Sequence, residues 1–262
     1  MKNILSFIAL AVILAAGIHA APPPLSLSAG GGGLLGYTFT RYTLEADTLS
    51  GSHIKSIQNM DRFNYGGFLF FDAAYGEFAL LIRGGQNTYE ETLNGIDDQG
   101  TGTEVILGFS LLLRPQTVFQ LIKPLSHLGK PAFRLNDKIS WSPLAGVEYQ
   151  IALLEKRKPK EGGGKVYDRT GGQLAADKDK NDNPYPLSAW NSWTIDIGAG
   201  FDYQLKDRLF LRNELLFSFR LQTDYETGAL EMTKKQFNTG TPTLMGLTGG
   251  PTLRTSIGYR FK

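Results

Sequence analysis

The chain predicts an all-β fold, a transmembrane antiparallel up-and-down β-barrel of eight strands, and three observations carry that prediction. Apolar and polar residues alternate with period two over stretches of a dozen residues, too long for an average soluble strand and close to the ~10 residues needed to cross a bilayer at a ~45° tilt. Glycine is abundant, at 31 of 262 residues, well above the ~7% that is typical; helix interiors disfavour it, whereas bent or closely packed strands use it. Beyond residue 20, no apolar run reaches the ~20 residues of a spanning helix. A soluble β-sandwich or periplasmic barrel stays open as the alternative.

The first element is a leader. Lys2 is followed by an apolar run from Ile4 to Ile18, small residues at Ala20 and Ala21, and Pro22-Pro23-Pro24. This is the pattern of a signal peptide, expected over residues 1–20 and cleaved, leaving residues 21–262 as one outer-membrane β-barrel domain. A retained anchor helix is the alternative, and the triple proline argues against its continuation.

The strands follow in order. Residues 25–41 are glycine-rich and 63–75 aromatic-rich; 77–89 and 103–114 are apolar with Arg83, Glu104, Ser110 and Arg114 interposed. In 139–153, Ile139, Trp141, Val147, Tyr149, Ile151 and Leu153 alternate with polar residues. Residues 192–205 are the clearest case: Trp193, Ile195, Ile197, Ala199, Phe201, Tyr203 and Leu205 form one row, and the other is wholly polar or glycine. Residues 209–222 and the segment ending at Phe261 repeat the pattern. Trp193 and Tyr203 lie ten positions apart on the apolar row, a vertical separation of roughly 25 Å at a ~40° tilt, the height expected between two aromatic girdles. The expected girdle is Trp141, Tyr149, Trp193, Tyr203, Tyr259 and Phe261.

Connections alternate in length. Residues 42–62, 90–102, 154–190 and 223–249 read as long polar loops, whereas Tyr75-Gly76 and Lys206-Asp207 read as tight turns. Membrane barrels place long loops outside and short turns in the periplasm, so both termini are expected in the periplasm. The fourth-to-fifth connection, residues 115–138, is too long for a plain turn. It either carries an insertion or supplies two further strands, making ten.

The inward rows carry a balanced charge set: Arg83, Arg114, Arg212, Arg220, Arg254 and Arg260 against Asp72, Glu104, Glu148, Asp196, Asp202 and Glu214. An eight-stranded barrel has room for its side chains and no wide channel, and charges enclosed there must pair or cost several kcal/mol. A salt-bridged plug is one reading and a gated path the other. Gly30, Gly32, Gly36, Gly198 and Gly200 would give the arginines space. Leu34, Phe68, Phe70, Leu144 and Leu216 form an inward apolar belt.

The final Gly258-Tyr259-Arg260-Phe261 and the strand Leu144-Ala145-Gly146-Val147-Glu148-Tyr149-Gln150, set in eight alternating strands with four long loops behind a leader, resemble the small outer-membrane barrels of the OmpW and OmpX type. Lys262 departs from the resemblance, since the terminal aromatic of those barrels is usually last and is read by the barrel-assembly machinery. The resemblance implies a monomer integral to the cell outer membrane, in contact with bilayer and outer-membrane glycolipid. It also implies a narrow OmpW-like pore for passive transport of small hydrophobic molecules, with the apolar belt as its lining. The alternative is a non-transporting, surface-exposed barrel acting in adhesion or surface structure through its outer loops.

Other chemistry is weakly represented. The absence of Cys removes thiolate metal sites and cysteine nucleophiles. Lys+Arg 27 against Asp+Glu 25 gives no one-signed field for nucleic acid. Gly31-x-Gly33-x-x-Gly36 matches a dinucleotide fingerprint only formally, because a strand sequence and no helix follows it. Asp177-x-Asp179-x-Asn181 begins like a calcium loop, but Asp182 takes the glycine position and Ser188 the closing glutamate position. The two histidines beyond the leader, His53 near Ser50 and Ser52 and His127 beside Ser126, read as loop residues without a rigid strand rim. No enzymatic activity, metal or cofactor is expected. Lys156-Arg157-Lys158-Pro159-Lys160 is a basic cluster whose charge is largely offset by nearby acids.

Overall fold

The computed structural model describes residues 27–47, 50–73, 75–93, 96–121, 133–159, 167–168, 191–221 and 243–261. The leader, His127, Asp177 and Asp179 lie outside the described residues. The elements are β1 (Ser28–Asp47), β2 (His53–Ala73), β3 (Gly76–Leu93), β4 (Ile96–Leu113), α1 (Pro115–Leu121), β5 (Phe133–Arg134), β6 (Ile139–Pro159), β7 (Tyr167–Asp168), β8 (Ser192–Gln204), β9 (Leu209–Arg220) and β10 (Thr243–Arg260).

Eight of the strands close into a ring in which every neighbour is antiparallel: β1, β2, β3, β4, β6, β8, β9, β10 and back to β1. Strands β5 and β7 are two-residue pieces paired only to β6. The ten-strand alternative is thereby set aside. Phe133-Arg134 turns back on Trp141-Ser140 in a short hairpin, whose turn is held by Asn136 Oδ1 accepting from the amides of Lys138 and Ile139 at 2.9 and 2.8 Å.

The register fixes the barrel's dimensions. Following paired residues from Gly30 through Phe70, Ala79, Ser110, Glu148, Thr194, Arg220 and Thr248 leads back to β1 at Thr40, ten residues above the start. A stagger of ten over eight strands requires a tilt of roughly 40° and leaves a backbone radius of roughly 8 Å, with about 2.5 Å of height per residue. That width is filled by side chains reaching in from opposite walls.

Burial alternates along the strands as the pleat demands. On β3, the odd positions from Glu77 to Tyr89 are buried, while the even positions on the other face are exposed apart from half-buried Gly76 and Gly84. The row that carries the charges is therefore the buried one, and the apolar row the exposed one. The exterior is an apolar wall with Leu69, Ile82, Ile197, Leu215 and Ile257 more than half exposed.

The expected long loops are corrected by the structure. Strand β1 runs on to Asp47 and β2 begins at His53, so 42–62 is a tall hairpin with its turn near Gly51, which has a φ of 86°. Residues 90–102 are almost entirely strand, paired from Glu90↔Gln99 to Leu93↔Ile96. Strand β6 continues to Pro159 and β10 begins at Thr243. Strands β8 and β9 are the short ones, ending near Ser192 and Arg220. Above the apolar band the outward row turns polar as well, so period-two hydrophobicity disappears while the backbone ladder persists and inward Met60, Asn87 and Tyr89 stay buried. A β-bulge interrupts this extension, where the partner of β4 skips from Ala152 to Leu154 and leaves Leu153 extra.

Candidate functional site: the barrel lumen and its outer extension

The inward charges sort into levels. Nearest the terminal end, Arg212 is the hub: its Nη1 donates to Glu77 Oε2 at 2.8 Å, its Nη2 to Asp72 Oδ2 at 2.9 Å, and its Nε to Asp202 Oδ1 at 2.7 Å. Arg114 grips Asp72 with both terminal nitrogens, at 2.7 and 3.0 Å, and also donates to the carbonyl of Ala73. Arg260 stands 3.7 Å from Asp202 and also reaches Gln204. The Arg212 guanidinium lies between two rings, 5.3 Å from the Phe70 centroid and 5.0 Å from that of Phe210.

At mid-height Arg254, 1% exposed, faces Glu148 at 3.3 Å and Glu214 at 3.9 Å. Arg83 pairs with the other oxygen of Glu148. Asp196 accepts from Ser218 Oγ at 2.5 Å. Higher again, Arg62 Nε stands 2.9 Å from Glu104 Oε1, and Arg220 donates to Thr248 Oγ1 at 3.4 Å. All twelve charges expected inside lie on the inner face. The structure adds Arg62 and the almost completely buried Glu77, which sequence reasoning passed over. Period two could have found both, since Glu77 stands six positions before Arg83 and Arg62 six before Phe68.

The five residues of the expected apolar belt are all buried. Leu34, Phe68 and Phe70 cluster with Ala79, Leu81 and Phe210, while Leu144 and Leu216 cluster with Leu112. The second group of each pairing lies on the inner phase of its strand but was not anticipated. These residues do not line an opening. Leu81, Leu112, Phe210, Leu216, Glu77, Glu148, Glu214 and Asp196 are each at most 2% exposed, so apolar and charged layers interlock.

The inward glycines have a different role from the one expected. A Cβ at Gly30 would strike a Phe70 ring carbon and the backbone at Ile257 and Gly258; one at Gly258 would strike the Phe210 and Phe70 rings. At these two positions the space serves the ring of a paired neighbour, Phe70 or Phe210, whereas at Gly32, Gly36, Gly198 and Gly200 the nearest atoms belong to backbone or to serine, threonine, leucine and glutamate side chains.

The six expected girdle residues all face outward. Trp141, Tyr203, Tyr259 and Phe261 stand at the terminal end, with Trp141 stacked on Phe133 at 4.6 Å and Tyr259 packed edge-on to Phe261 at 5.8 Å. Tyr149 and Trp193, 4.9 Å apart, belong to the upper ring, which Tyr37, Phe63 and Tyr65 complete. Ten residues separate Trp193 from Tyr203, a vertical distance of about 25 Å at this tilt. A closed ring with no free edge, an exposed apolar exterior and two aromatic belts at that spacing satisfies every backbone group in hydrocarbon. The chain is a transmembrane β-barrel. No helix among the described residues is long and apolar enough to cross a membrane.

Comparisons add little to this. No family model matches the chain, and no curated protein matches it in sequence. Among solved structures, Neisserial surface protein A aligns over 88% of this chain and 99% of its own, at 10% identity and a TM-score of 0.27. Ail, the attachment invasion locus protein of Yersinia pestis, aligns over 90% and 99% at 13% identity and 0.27. The outer membrane protease OmpT from Escherichia coli aligns over 92% and 98% at 9% identity and 0.34. At such scores the fold rests on the strand register above.

Beyond the upper girdle, the extension on the side away from the termini carries exposed polar groups. Lys55 Nζ lies 2.9 Å from Glu45 Oε1 and holds that carboxyl below the usual carboxylate range. His53, expected in a loop, is the first residue of β2, and its Nδ1 lies 2.8 Å from Asp47 Oδ1. The glycine motif 31–36 lies wholly within β1. Among the described residues no group of three or more His, Asp or Glu side chains is placed to hold a metal ion.

Proposed function

We propose that this protein is a closed surface barrel whose working part is the extension on the far side from the termini, and that it acts in adhesion or surface structure without transporting a solute. The observation that supports this is the filled lumen. A hydrophobic molecule travelling along the axis would have to displace Phe70, Phe210 and Leu81 and part Arg212 and Arg254 from five carboxylates in a dry interior, at several kcal/mol for each stranded charge. The OmpW-like pore, which the apolar belt suggested, requires that displacement.

In this reading the termini lie in the periplasm and the hairpins β1–β2 and β3–β4, with the top of β6, project from the cell. They rise about eight to ten residues above Tyr37 and Trp193, about 20–25 Å at this tilt. That is a rigid, polar platform, and an attachment surface gains from being ordered before it binds. Nothing in the reading calls for catalysis or a cofactor.

The test is to replace residues 44–56 by a two-residue turn and compare adhesion of expressing cells to immobilised matrix protein and sulfated polysaccharide. Heat-modifiable migration confirms the barrel. Adhesion should fall while vesicles loaded with the purified protein remain impermeable to an apolar tracer. Unchanged adhesion together with tracer uptake that falls in the Phe68→Asp, Phe70→Asp variant would establish the pore instead.

A further inference from the structure

The apolar band is not of equal height around the barrel. On β3 the outward row is apolar or glycine from Gly76 to Gly84, and the next outward residue is the exposed Gln86. On β10 the outward row carries no charge from Phe261 up to Met245, and Leu247 and Met245 are 44% and 57% exposed. Measured alike by its topmost apolar or glycine residue, the band ends on β3 at Gly84 and on β10 at Met245, about four residues or roughly 10 Å higher.

The register shows that this is a difference at the far rim. From Leu247 the ladder runs through Arg41 and Asn59 to Glu90. Each step around the ring climbs about 1.25 residues, so Gln86 stands level with Leu247 and Met245 stands higher. Tilting a rigid barrel cannot explain it, because raising the far rim at β10 would also raise the near rim there. Yet Tyr259 and Phe261 reach at least as far towards the terminal end as Gly76. The β10 side is taller.

We propose that the crest formed by Leu247 and Met245 is covered by lipid acyl chains, so that the barrel holds a thicker leaflet along β10 than along β3. The crest is continuous with the lipid-facing wall below it and itself adds no charge; the charge beside it, Arg41 paired with Leu247 across the ladder, is neutralised by Asp61 at 2.7 Å. Two side chains on one strand are far too small for a protein partner, which needs about 800 Å² per side. Mismatch costs only fractions of a kcal/mol per Å, so a fixed barrel can deform the membrane around it.

The chain has no cysteine, so single-site labelling is direct. Met245→Cys, Leu247→Cys and Gln86→Cys, each carrying a nitroxide, would be folded into phosphatidylcholine vesicles and their collision rates with oxygen and with a water-soluble nickel chelate compared. Lipid coverage predicts a ratio of oxygen to nickel collisions several-fold higher at 245 and 247 than at 86. Equal, nickel-dominated ratios at all three would overturn the proposal, as would spin–spin broadening at 245, which would mean that a second copy covers the crest. Heat-modifiable migration identifies the folded variants, and the two crest positions serve as independent readings.

Discussion

Replacing Arg212 with methionine removes the group on which three carboxylates converge, and the structure says where the loss falls. Asp72 keeps both bonds from Arg114, and Asp202 keeps Arg260 at 3.7 Å. Glu77, 2% exposed, loses the bond to Oε2, and its Oε1 already has no hydrogen-bond partner. Stranding one buried charge costs about 3–5 kcal/mol. Methionine keeps the packing against Phe70 and Phe210, so little of the loss should come from a cavity. Urea unfolding of the vesicle-embedded barrel, followed by tryptophan fluorescence, measures it directly. Adding Glu77→Gln should recover part of the loss, because an unpaired amide costs about 1–3 kcal/mol where a charge costs more. A loss below about 1 kcal/mol would put the pair in the class of exposed salt bridges, and would refute a dry, filled lumen.

Other expectations follow from the same geometry. Gly258→Val should cost about 2–3 kcal/mol by driving a methyl group into the Phe210 and Phe70 rings, and Phe210→Ala in the same chain should relieve it, both read by urea unfolding. Ile197→Arg, on the lipid face midway between the girdles, should cost about 2–4 kcal/mol, whereas Thr88→Arg, outward and above the band, should cost under about 0.5 kcal/mol. Removing residues 44–56 should leave the unfolding midpoint of the membrane-spanning part nearly unchanged, since its girdles and charge layers lie below that hairpin.

The barrel wall was legible in the sequence wherever one row was apolar and the other polar, as from Trp193 to Leu205. Two kinds of residue escaped. Above the band both rows are polar, so Thr43, Gln58 and Gln99 look like loop although they sit in continuous ladders. Inside, Leu81, Leu112 and Phe210 are apolar on the inner row, which makes those strands look apolar on both faces and hides the depth of the packing. The role of Gly30 and Gly258 depends on which ring is paired beside each, Phe70 on β2 and Phe210 on β9, and that is set by the register between neighbouring strands. No pattern within one strand carries that register.

The central claim is that the lumen is shut. Planar-bilayer recording of the purified, folded protein tests it most directly: the packed layers of Arg212, Phe210, Leu81 and Arg254 predict a baseline without discrete steps, at either polarity. Reproducible open steps that change in size when Arg254 is replaced would contradict the account.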